Sequence, residues 1–249
     1  MSGYVEGRIT ARHEWAPGLV TVTLDAALEP FVPGQFVNLG LELEGQIVRR
    51  SYSLASAPFA RPEFYLTGLE SGELSPALLR LGPGDSVLVD PKAQGFFTLN
   101  WVPPASELWM IATGTGLAPY LSMLRSAEVW QRFERIVLVH GVRERAHLTY
   151  RSELEALAVE HGGRLHRVSL VTRDPEAPSV LHGRIPAAIL DGSLESAAGL
   201  SLSLERSHLL LCGNPAMIDD SVQALSTRGF TRHRTRKPGH ITTEKYWET

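Results

Sequence analysis

Cysteine is nearly absent from this sequence, since Cys212 is the single one among 249 residues. One thiol excludes an intramolecular disulfide, and it excludes an iron–sulfur cluster ligated only by cysteines of this chain. If the protein transfers electrons, an organic cofactor must therefore carry them. The histidines, among them His13, His140 and His240, follow no H-E-x-x-H or comparable ligand spacing, so we predict no metal site.

Strong charge and long apolar runs are missing too. A formal net charge of -3 and a pI near 6.3 leave no global basic field of the kind that holds proteins on nucleic acid or anionic membranes. No apolar run approaches the roughly 20 residues that span a bilayer, and MSGYVEGRIT lacks the pattern of a secretory signal. We expect a cytoplasmic protein that binds neither nucleic acid nor membranes.

The N-terminal part of the chain is a series of short segments that alternate apolar and polar residues. Turn dipeptides such as Pro17-Gly18 and Pro33-Gly34 separate them. The predicted strands cover 4–13, 20–24, 35–41, 49–54, 63–69 and 86–90, with a short helix over 74–81. Such a series is typical of an antiparallel barrel.

From about residue 108, strands alternate with helices. The predicted strands cover 108–113, 135–141, 164–172 and 208–213, and the predicted helices cover 118–127, 150–161 and a segment that starts at 215. This alternation implies a parallel sheet with right-handed crossovers. The chain is long enough for two domains, although its length alone also allows one. We predict an antiparallel β-barrel domain over 1–101 and an α/β parallel-sheet domain over 102–249.

Three short motifs carry the chemistry. RSYS, from Arg50 to Ser53, lies in a predicted strand. If it stood alone, the better interpretation would be an ordinary barrel strand with a surface arginine, because so short a motif often occurs by chance. The loop in ATGTGLAPY follows a strand and opens a helix, where glycines and free N–H groups favour phosphate, although it is not G-x-G-x-x-G. In LLLCGNPAM a strand ends at Cys212-Gly213, at the edge where parallel sheets bind ligands.

Taken in order, RSYS, GTGLAP, CGNP and the later GHITTEKYW resemble the bacterial ferredoxin/flavodoxin–NADP(+) reductase family over nearly the whole chain. The resemblance implies that the barrel binds FAD, that the α/β domain binds NADP, and that a C-terminal tail reaches the flavin. It places Arg50 on the FAD pyrophosphate, Tyr52 against the flavin ring and Ser53 near the flavin N5. It also implies that Tyr65, Leu66 and Thr67, together with Glu73, Leu74 and Ser75 at a helix start, hold the rest of the FAD, and that Thr115 contacts the flavin. Ser51, Gly114 and Gly116 are further cofactor-binding positions.

Arginines near strand ends argue for NADP rather than NAD. An isolated arginine is usually a solvated surface charge, but discrimination of a 2'-phosphate requires cationic donors, where an NAD site usually has an acidic residue. In the family, the positions that match Arg143, Thr172, Arg173 and Arg184 bind the 2'-phosphate and the neighbouring pyrophosphate.

The C-terminal segment adds further candidates. Without the resemblance, the segment with Glu244, Tyr246 and Trp247 would be interpreted as an exposed tail. Related enzymes, however, use C-terminal aromatics to cover the flavin or to stack on the FAD adenine. Glu248 and Thr249 follow the tryptophan at which many relatives end. Cys212, alone best explained as a buried structural thiol, and Glu244 match positions that assist hydride transfer in some members, and we count Tyr246 with them.

The basic stretch TRHRTRKPGH has three readings: a solvated face, a nucleic-acid site, or a surface that steers acidic ferredoxin or flavodoxin. We prefer the last and expect a monomer that exchanges electrons with these partners. Two rival functions remain open. The first is a reductase that serves an oxygenase or reduces free flavin or ferric chelates. The second is a non-catalytic module that holds FAD or senses NADP.

Overall fold

The computed structural model describes residues 3–68 and 72–246, which form two compact units. One unit consists of residues 1–99 together with 118–126, and the other of 100–117 together with 127–249. The predicted boundary between residues 101 and 102 stays a prediction.

The first unit is built on a six-stranded antiparallel sheet with the strand order β4-β3-β6-β1-β2-β5. Its strands are β1 (Val5–Ala16), β2 (Leu19–Asp25), β3 (Phe36–Leu43), β4 (Gln46–Ser53), β5 (Glu63–Thr67) and β6 (Ser86–Val89). The two ends of the order meet, because Leu54 bridges Phe64 and the N–H of Ala55 donates to the carbonyl of Glu63 at 2.8 Å. The sheet therefore closes into the predicted barrel.

The barrel interior is apolar. Alternate residues of the strands point inward, as expected for sheets with one buried face. The buried cluster includes Val20, Val22 and Leu24 of β2. Helix α1 (Leu74–Arg80) contributes Leu74 and Leu78, which are one helical turn apart, to the same cluster. This packing fixes the start of α1 against the barrel.

Helix α2 (Ala118–Leu124) also belongs to the first unit. The prediction of one helix over 118–127 is too long at its C-terminal end. There the Ser126 hydroxyl donates to the carbonyl of Ser122 at 2.8 Å, a local bond of the kind that competes with helix continuation. Just past the helix, Arg125 donates to the carbonyl of Ala55 and pairs with Glu63, each at 2.8 Å, and so ties α2 to the barrel.

The second unit is built on a six-stranded parallel sheet with the order β10-β9-β8-β7-β11-β12. Its strands are β7 (Glu107–Thr113), β8 (Arg135–Val142), β9 (Leu165–Val171), β10 (Leu181–His182), β11 (Ser207–Gly213) and β12 (Ile241–Lys245). Its helices are α3 (Ala127–Arg132), α4 (Arg151–Glu160), α5 (Ile185–Leu190), α6 (Ser193–Ala198) and α7 (Pro215–Ser226).

The central strands of this sheet are buried on both faces. Every residue of β11 is buried, and six of the seven in β7 are buried as well, which explains their nearly continuous apolar sequences. A large cluster that includes Trp109, Val139, Leu211 and Ile218 joins one face of the sheet to its helices. In the described residues, no helix is long and apolar enough to cross a membrane.

Candidate functional site

All strands of the second unit run in the same direction, so their carboxyl ends meet at one edge of the sheet. In open parallel sheets, this is the edge at which ligands bind. Most of the predicted nucleotide-site residues lie there. They are Arg143 after β8, Thr172 and Arg173 after β9, Arg184 after β10, Gly114, Thr115 and Gly116 after β7, Cys212 at the end of β11, and Glu244 and Tyr246 at the end of β12.

The loop at the end of β7, residues 113–117, is called the glycine loop below. It packs closely against the end of β11. A Cβ added at Gly116 would lie 2.5 Å from the carbonyl oxygen of Cys212, and a Cβ at Gly213 would lie 2.5 Å from Thr113 Oγ1. Gly213 also has a φ of +124°, and the N–H of Asn214 donates to Thr113 Oγ1 at 2.9 Å. Only glycine permits this approach of two backbones.

Two side chains from other strands hold the carbonyl oxygens of the glycine loop. The hydroxyl of Tyr246 donates to the carbonyl of Thr115 at 2.7 Å. Nε2 of His140 lies 3.0 Å from the carbonyl of Gly114. His140 is buried in β8, and burial lowers its pKa to about 4 against the opposing effect of the Gly114 hydrogen bond. The imidazole is therefore neutral near pH 7 and carries its proton on Nε2.

Cys212 and Glu244 face each other because β11 and β12 pair in parallel with these residues in register. The thiol Sγ lies 3.8 Å from Glu244 Oε2. Burial raises the pKa of Glu244 to about 7, although the Cys212 hydrogen bond favours the charged carboxylate. Burial first, and then the charge of Glu244, hold the pKa of the Cys212 thiol well above its usual range. The pair thus combines a thiol that keeps its proton with a carboxyl group that exchanges one near neutral pH.

The arginines of this edge lie on neighbouring strands. The N–H of Arg173 donates to the carbonyl of Arg143 at 2.7 Å, and the N–H of Thr172 donates to the same oxygen at 3.2 Å. Arg184 precedes α5 and follows β10, the next strand along the sheet. Their side chains are exposed, and in the described ranges none of these arginines pairs with a carboxylate. They leave a local surplus of positive charge.

The first unit brings the RSYS motif to the start of α1. The Tyr52 hydroxyl lies 3.1 Å from the Ser75 hydroxyl, and Tyr52 packs partly against the barrel core. Burial raises the pKa of Tyr52, so its hydroxyl remains protonated. Arg50 is exposed, and a Cβ added at Gly72 would lie 3.7 Å from its guanidinium. Ser53 is buried at the end of β4.

The other predicted positions of this unit differ in exposure. Ser51 is exposed and donates to Asn38 Oδ1 at 2.9 Å. Tyr65, Leu66 and Leu74 are buried. Leu66 and Leu74 belong to the barrel core, so they present backbone rather than side chain to any ligand. Thr67 is half-buried and Glu73, just before α1, is exposed.

One predicted residue, Trp247, lies outside the described residues. Conversely, the sequence interpretation assigned no role to His140 or Asn214, both of which contact the glycine loop. A histidine within the apolar run RIVLVHGV was the available signal for His140, since a buried polar side chain needs a partner. Within residues 3–68 and 72–246, no group of three His, Cys, Asp or Glu side chains is arranged to hold a metal ion.

Residues 110–223 match the family model of the oxidoreductase NAD-binding domain. The chain is 45% identical over 249 residues to the flavodoxin/ferredoxin–NADP reductase of Escherichia coli strain K12, covering 99% of this chain and 100% of that protein. It is 32% identical to the ferredoxin–NADP reductase of Azotobacter vinelandii, covering 98% of each. A crystal structure of a ferredoxin NADP+ reductase from Neisseria gonorrhoeae with bound FAD and NADP superimposes with a TM-score of 0.92 at 31% identity, covering 99% of this chain and 100% of that one.

Proposed function

The chain belongs to the flavodoxin/ferredoxin–NADP reductase family and is an oxidoreductase, and we propose that it couples NADP(H) through FAD to ferredoxin or flavodoxin. In this reaction a hydride passes between NADP(H) and FAD, and single electrons pass between FAD and the protein partner. The observation that carries the proposal is the sheet edge on which the glycine loop, the Cys212–Glu244 pair and the exposed arginines lie together.

The first unit offers groups that fit FAD. Arg50 is an exposed guanidinium with no carboxylate partner among the described residues, and the neighbouring backbone at Gly72 has no side chain to block a phosphate. A guanidinium binds phosphate with parallel hydrogen bonds. The phenol of Tyr52 has a ring for stacking and a hydroxyl already held by Ser75. When bound, FAD accepts electrons as a pair and releases them singly.

NADP, rather than NAD, fits the arginine-rich end of the parallel sheet. Arg143, Arg173 and Arg184 would bind the 2'-phosphate and the adjacent pyrophosphate, and Thr172 would add a hydroxyl. Asp174, the acidic residue directly after Arg173, accepts a hydrogen bond from the backbone N–H of Arg145 at 3.3 Å. It is thereby engaged with backbone rather than offered to a ribose hydroxyl.

The buried pair of β11 and β12 supplies the proton chemistry. We assign Cys212 and Glu244 to the surroundings of the reacting nicotinamide, where the thiol stays neutral and the carboxyl, with a pKa of about 7, takes up or releases a proton near neutral pH. Ser53 would donate a hydrogen bond near the flavin N5. Tyr246, and Trp247 after it, would cover the bound cofactor, while the hydroxyl of Tyr246 holds the glycine loop.

The basic stretch supports an acidic protein partner. Residues 231–240 form a compact loop in which Arg234 and Lys237 exchange two backbone hydrogen bonds, 3.0 and 2.8 Å long. Arg234, Arg236 and Lys237 are exposed, and within the described residues none of them has a carboxylate partner, whereas Arg232 pairs with Asp219 at 3.1 Å. This loop, called the basic loop below, would attract ferredoxin or flavodoxin by charge.

The test begins with the purified full-length protein and its visible spectrum without oxygen. We expect flavin absorbance that bleaches with far less NADPH than NADH. The double variant Arg173→Ala/Arg184→Ala should weaken NADPH binding much more than NADH binding. Arg151→Ala, which removes an exposed arginine of α4, is the matched control. Equal losses for both nucleotides would contradict the assignment of the arginines to the 2'-phosphate.

Acceptor competition separates the proposal from its rivals. A reductase for free flavin, ferric chelates or an oxygenase would prefer its own acceptor and show no salt-sensitive preference for ferredoxin or flavodoxin. A non-catalytic FAD-holding subunit would be yellow but would not bleach with NADPH. A colourless protein that does not bind added FAD would contradict the proposal itself.

A further inference from the structure

His140 is a polar side chain in an otherwise apolar part of the second unit. It lies near the end of β8, and only 5% of its surface is exposed. The four residues before it, Ile136 to Val139, are apolar and buried. Burial of an imidazole in apolar surroundings costs free energy unless a hydrogen bond compensates. The side chain therefore needs a specific partner.

That partner is the backbone of the neighbouring strand's loop. β7 and β8 pair with Ala112 opposite His140, so the imidazole reaches forward past the end of β7. Its Nε2 lies 3.0 Å from the carbonyl of Gly114. Because a carbonyl only accepts, Nε2 must carry the hydrogen. Gly114 has a φ of +53°, in the left-handed region, so its peptide is turned in a way that most residues avoid.

The orientation of this carbonyl matters for an anionic ligand. A loop binds phosphate or a polarised nucleotide group with its N–H groups, and a carbonyl oxygen that pointed the same way would repel the ligand. The carbonyls of both Gly114 and Thr115 are engaged within the second unit, the first by His140 and the second by Tyr246. These two bonds restrain successive peptides of the glycine loop.

We propose that His140 is a positioning residue for the nicotinamide nucleotide: its Nε2–H holds the Gly114 carbonyl away from the ligand so that the loop presents N–H groups. The role rests on the proposed function of the sheet edge. It differs from the role of the arginines, because the buried imidazole is neutral and contributes no attraction to phosphate. Salt should therefore weaken the contribution of Arg173 but not that of His140.

A purely structural histidine would behave differently on substitution. Removal of a structural hydrogen bond lowers the stability of the unit, with no selective effect on nucleotide affinity. A positioning role predicts that loss of the imidazole donor weakens nucleotide affinity. It also predicts that a side-chain amide, which supplies a donor again, restores that affinity. Glutamine carries an N–H₂ donor at a reach similar to that of Nε2, whereas leucine has a similar bulk and no donor.

The experiment uses the full-length, FAD-loaded protein and the variants His140→Leu and His140→Gln. His166→Leu is the control, since it removes an imidazole from the adjacent strand β9 at the other end of the sheet. We expect His140→Leu to raise the Kd for NADP+ about tenfold, the effect of one lost hydrogen bond. His140→Gln should restore the Kd to within about threefold of wild type. The same shift should appear at low and high salt.

A second measurement needs no nucleotide. Amide hydrogen exchange at residues 115–117 should be faster in His140→Leu than in wild type or His140→Gln, because the Gly114 peptide is no longer held. If the leucine variant binds NADP+ as tightly as wild type, or if the glutamine variant loses affinity equally, the positioning role is wrong. If wild type binds no NADP+ while the exchange difference is present, the proposed function is wrong instead, and with it the ligand assigned to the loop.

Discussion

The hydroxyl of Tyr246 donates to the backbone carbonyl of Thr115 at 2.7 Å, across 131 positions of the chain. This bond joins the end of β12 to the glycine loop at the end of β7, although β11 lies between the two strands in the sheet. Three successive strand ends are thereby linked, since Gly213 of β11 also packs on Thr113. The geometry of the candidate site depends on this side-chain contact as well as on the sheet.

Replacement of Tyr246 by phenylalanine removes that hydroxyl and leaves the ring. We expect the free energy of unfolding to fall by about 1–2 kcal/mol, since the hydroxyl bonds the Thr115 carbonyl and also the Cys212 thiol, and one hydrogen bond has a net value of about 1 kcal/mol. Urea denaturation of the FAD-loaded protein measures it, with Tyr4→Phe as control, since the Tyr4 hydroxyl accepts only an exposed bond from Arg49 at 3.3 Å. Equal small effects of both substitutions would show that the Thr115 bond adds little.

Glu244 should make the protein's properties depend on pH near neutrality. Its pKa is about 7 in the folded state, above its usual 4.5, so the folded protein binds a proton that the unfolded chain releases between these values. The corresponding stability is present below about pH 4.5 and is lost as the pH rises towards 7. Infrared spectroscopy should detect a protonated carboxyl that titrates near pH 7 and is missing in Glu244→Gln. A midpoint near 4.5 would contradict the burial argument.

Charge reversal in the basic loop should affect the protein partner selectively. Arg234→Glu/Arg236→Glu should slow electron delivery to ferredoxin or flavodoxin at low salt, with a difference from wild type that shrinks as salt screens the charges. Reduction of a small neutral dye should not change. Arg151→Glu controls for the change in net charge. Equal loss of partner and dye reduction would mean that the loop is structural.

The ion pair between Arg125 and Glu63 should contribute to the stability of the first unit. Both side chains are about one-fifth exposed, and Arg125 also donates to the carbonyl of Ala55. Arg125→Ala leaves Glu63 partly buried without this cation, so we expect a loss of about 2–4 kcal/mol in the free energy of unfolding, somewhat below that for a fully buried pair. Glu14→Ala breaks the more exposed Arg12–Glu14 pair but keeps the bond from Arg12 to the Leu79 carbonyl, so it should cost about 0.5 kcal/mol or less.

Strands that end in recognisable turns could be predicted from the sequence. The apolar run LWMIAT before two glycines and the run HLLLCG before Asn214-Pro215 both became buried parallel strands. The positions of Arg143 and Arg173 directly after strands were also predicted, because such boundaries depend on local patterns. The antiparallel barrel and the parallel sheet were both confirmed by the structure.

Elements held by distant contacts could not be predicted in this way. β10 has only two residues. The sequence of β12, ITTEK, contains a single apolar residue and so lacks the apolar–polar alternation that indicates a strand. β12 forms because the register with β11 buries Ile241 and places Glu244 beside Cys212. The bond between His140 and Gly114 likewise depends on the pairing of β7 with β8, which no local sequence window contains.

The order in which the strands are synthesised differs from their order in the sheet. The Ser207 hydroxyl donates to the Glu107 carboxylate across 100 positions of the chain. The central strands β7 and β11 therefore cannot pair until most of the chain has been synthesised. Such distant pairing is slow to fold. A nascent or truncated chain that lacks residues 241–246 would leave the apolar strand β11 as an unprotected edge, open to aggregation and proteolysis. The edge of β11 is thus covered only after residues 241–246 have been synthesised and have paired with it as β12.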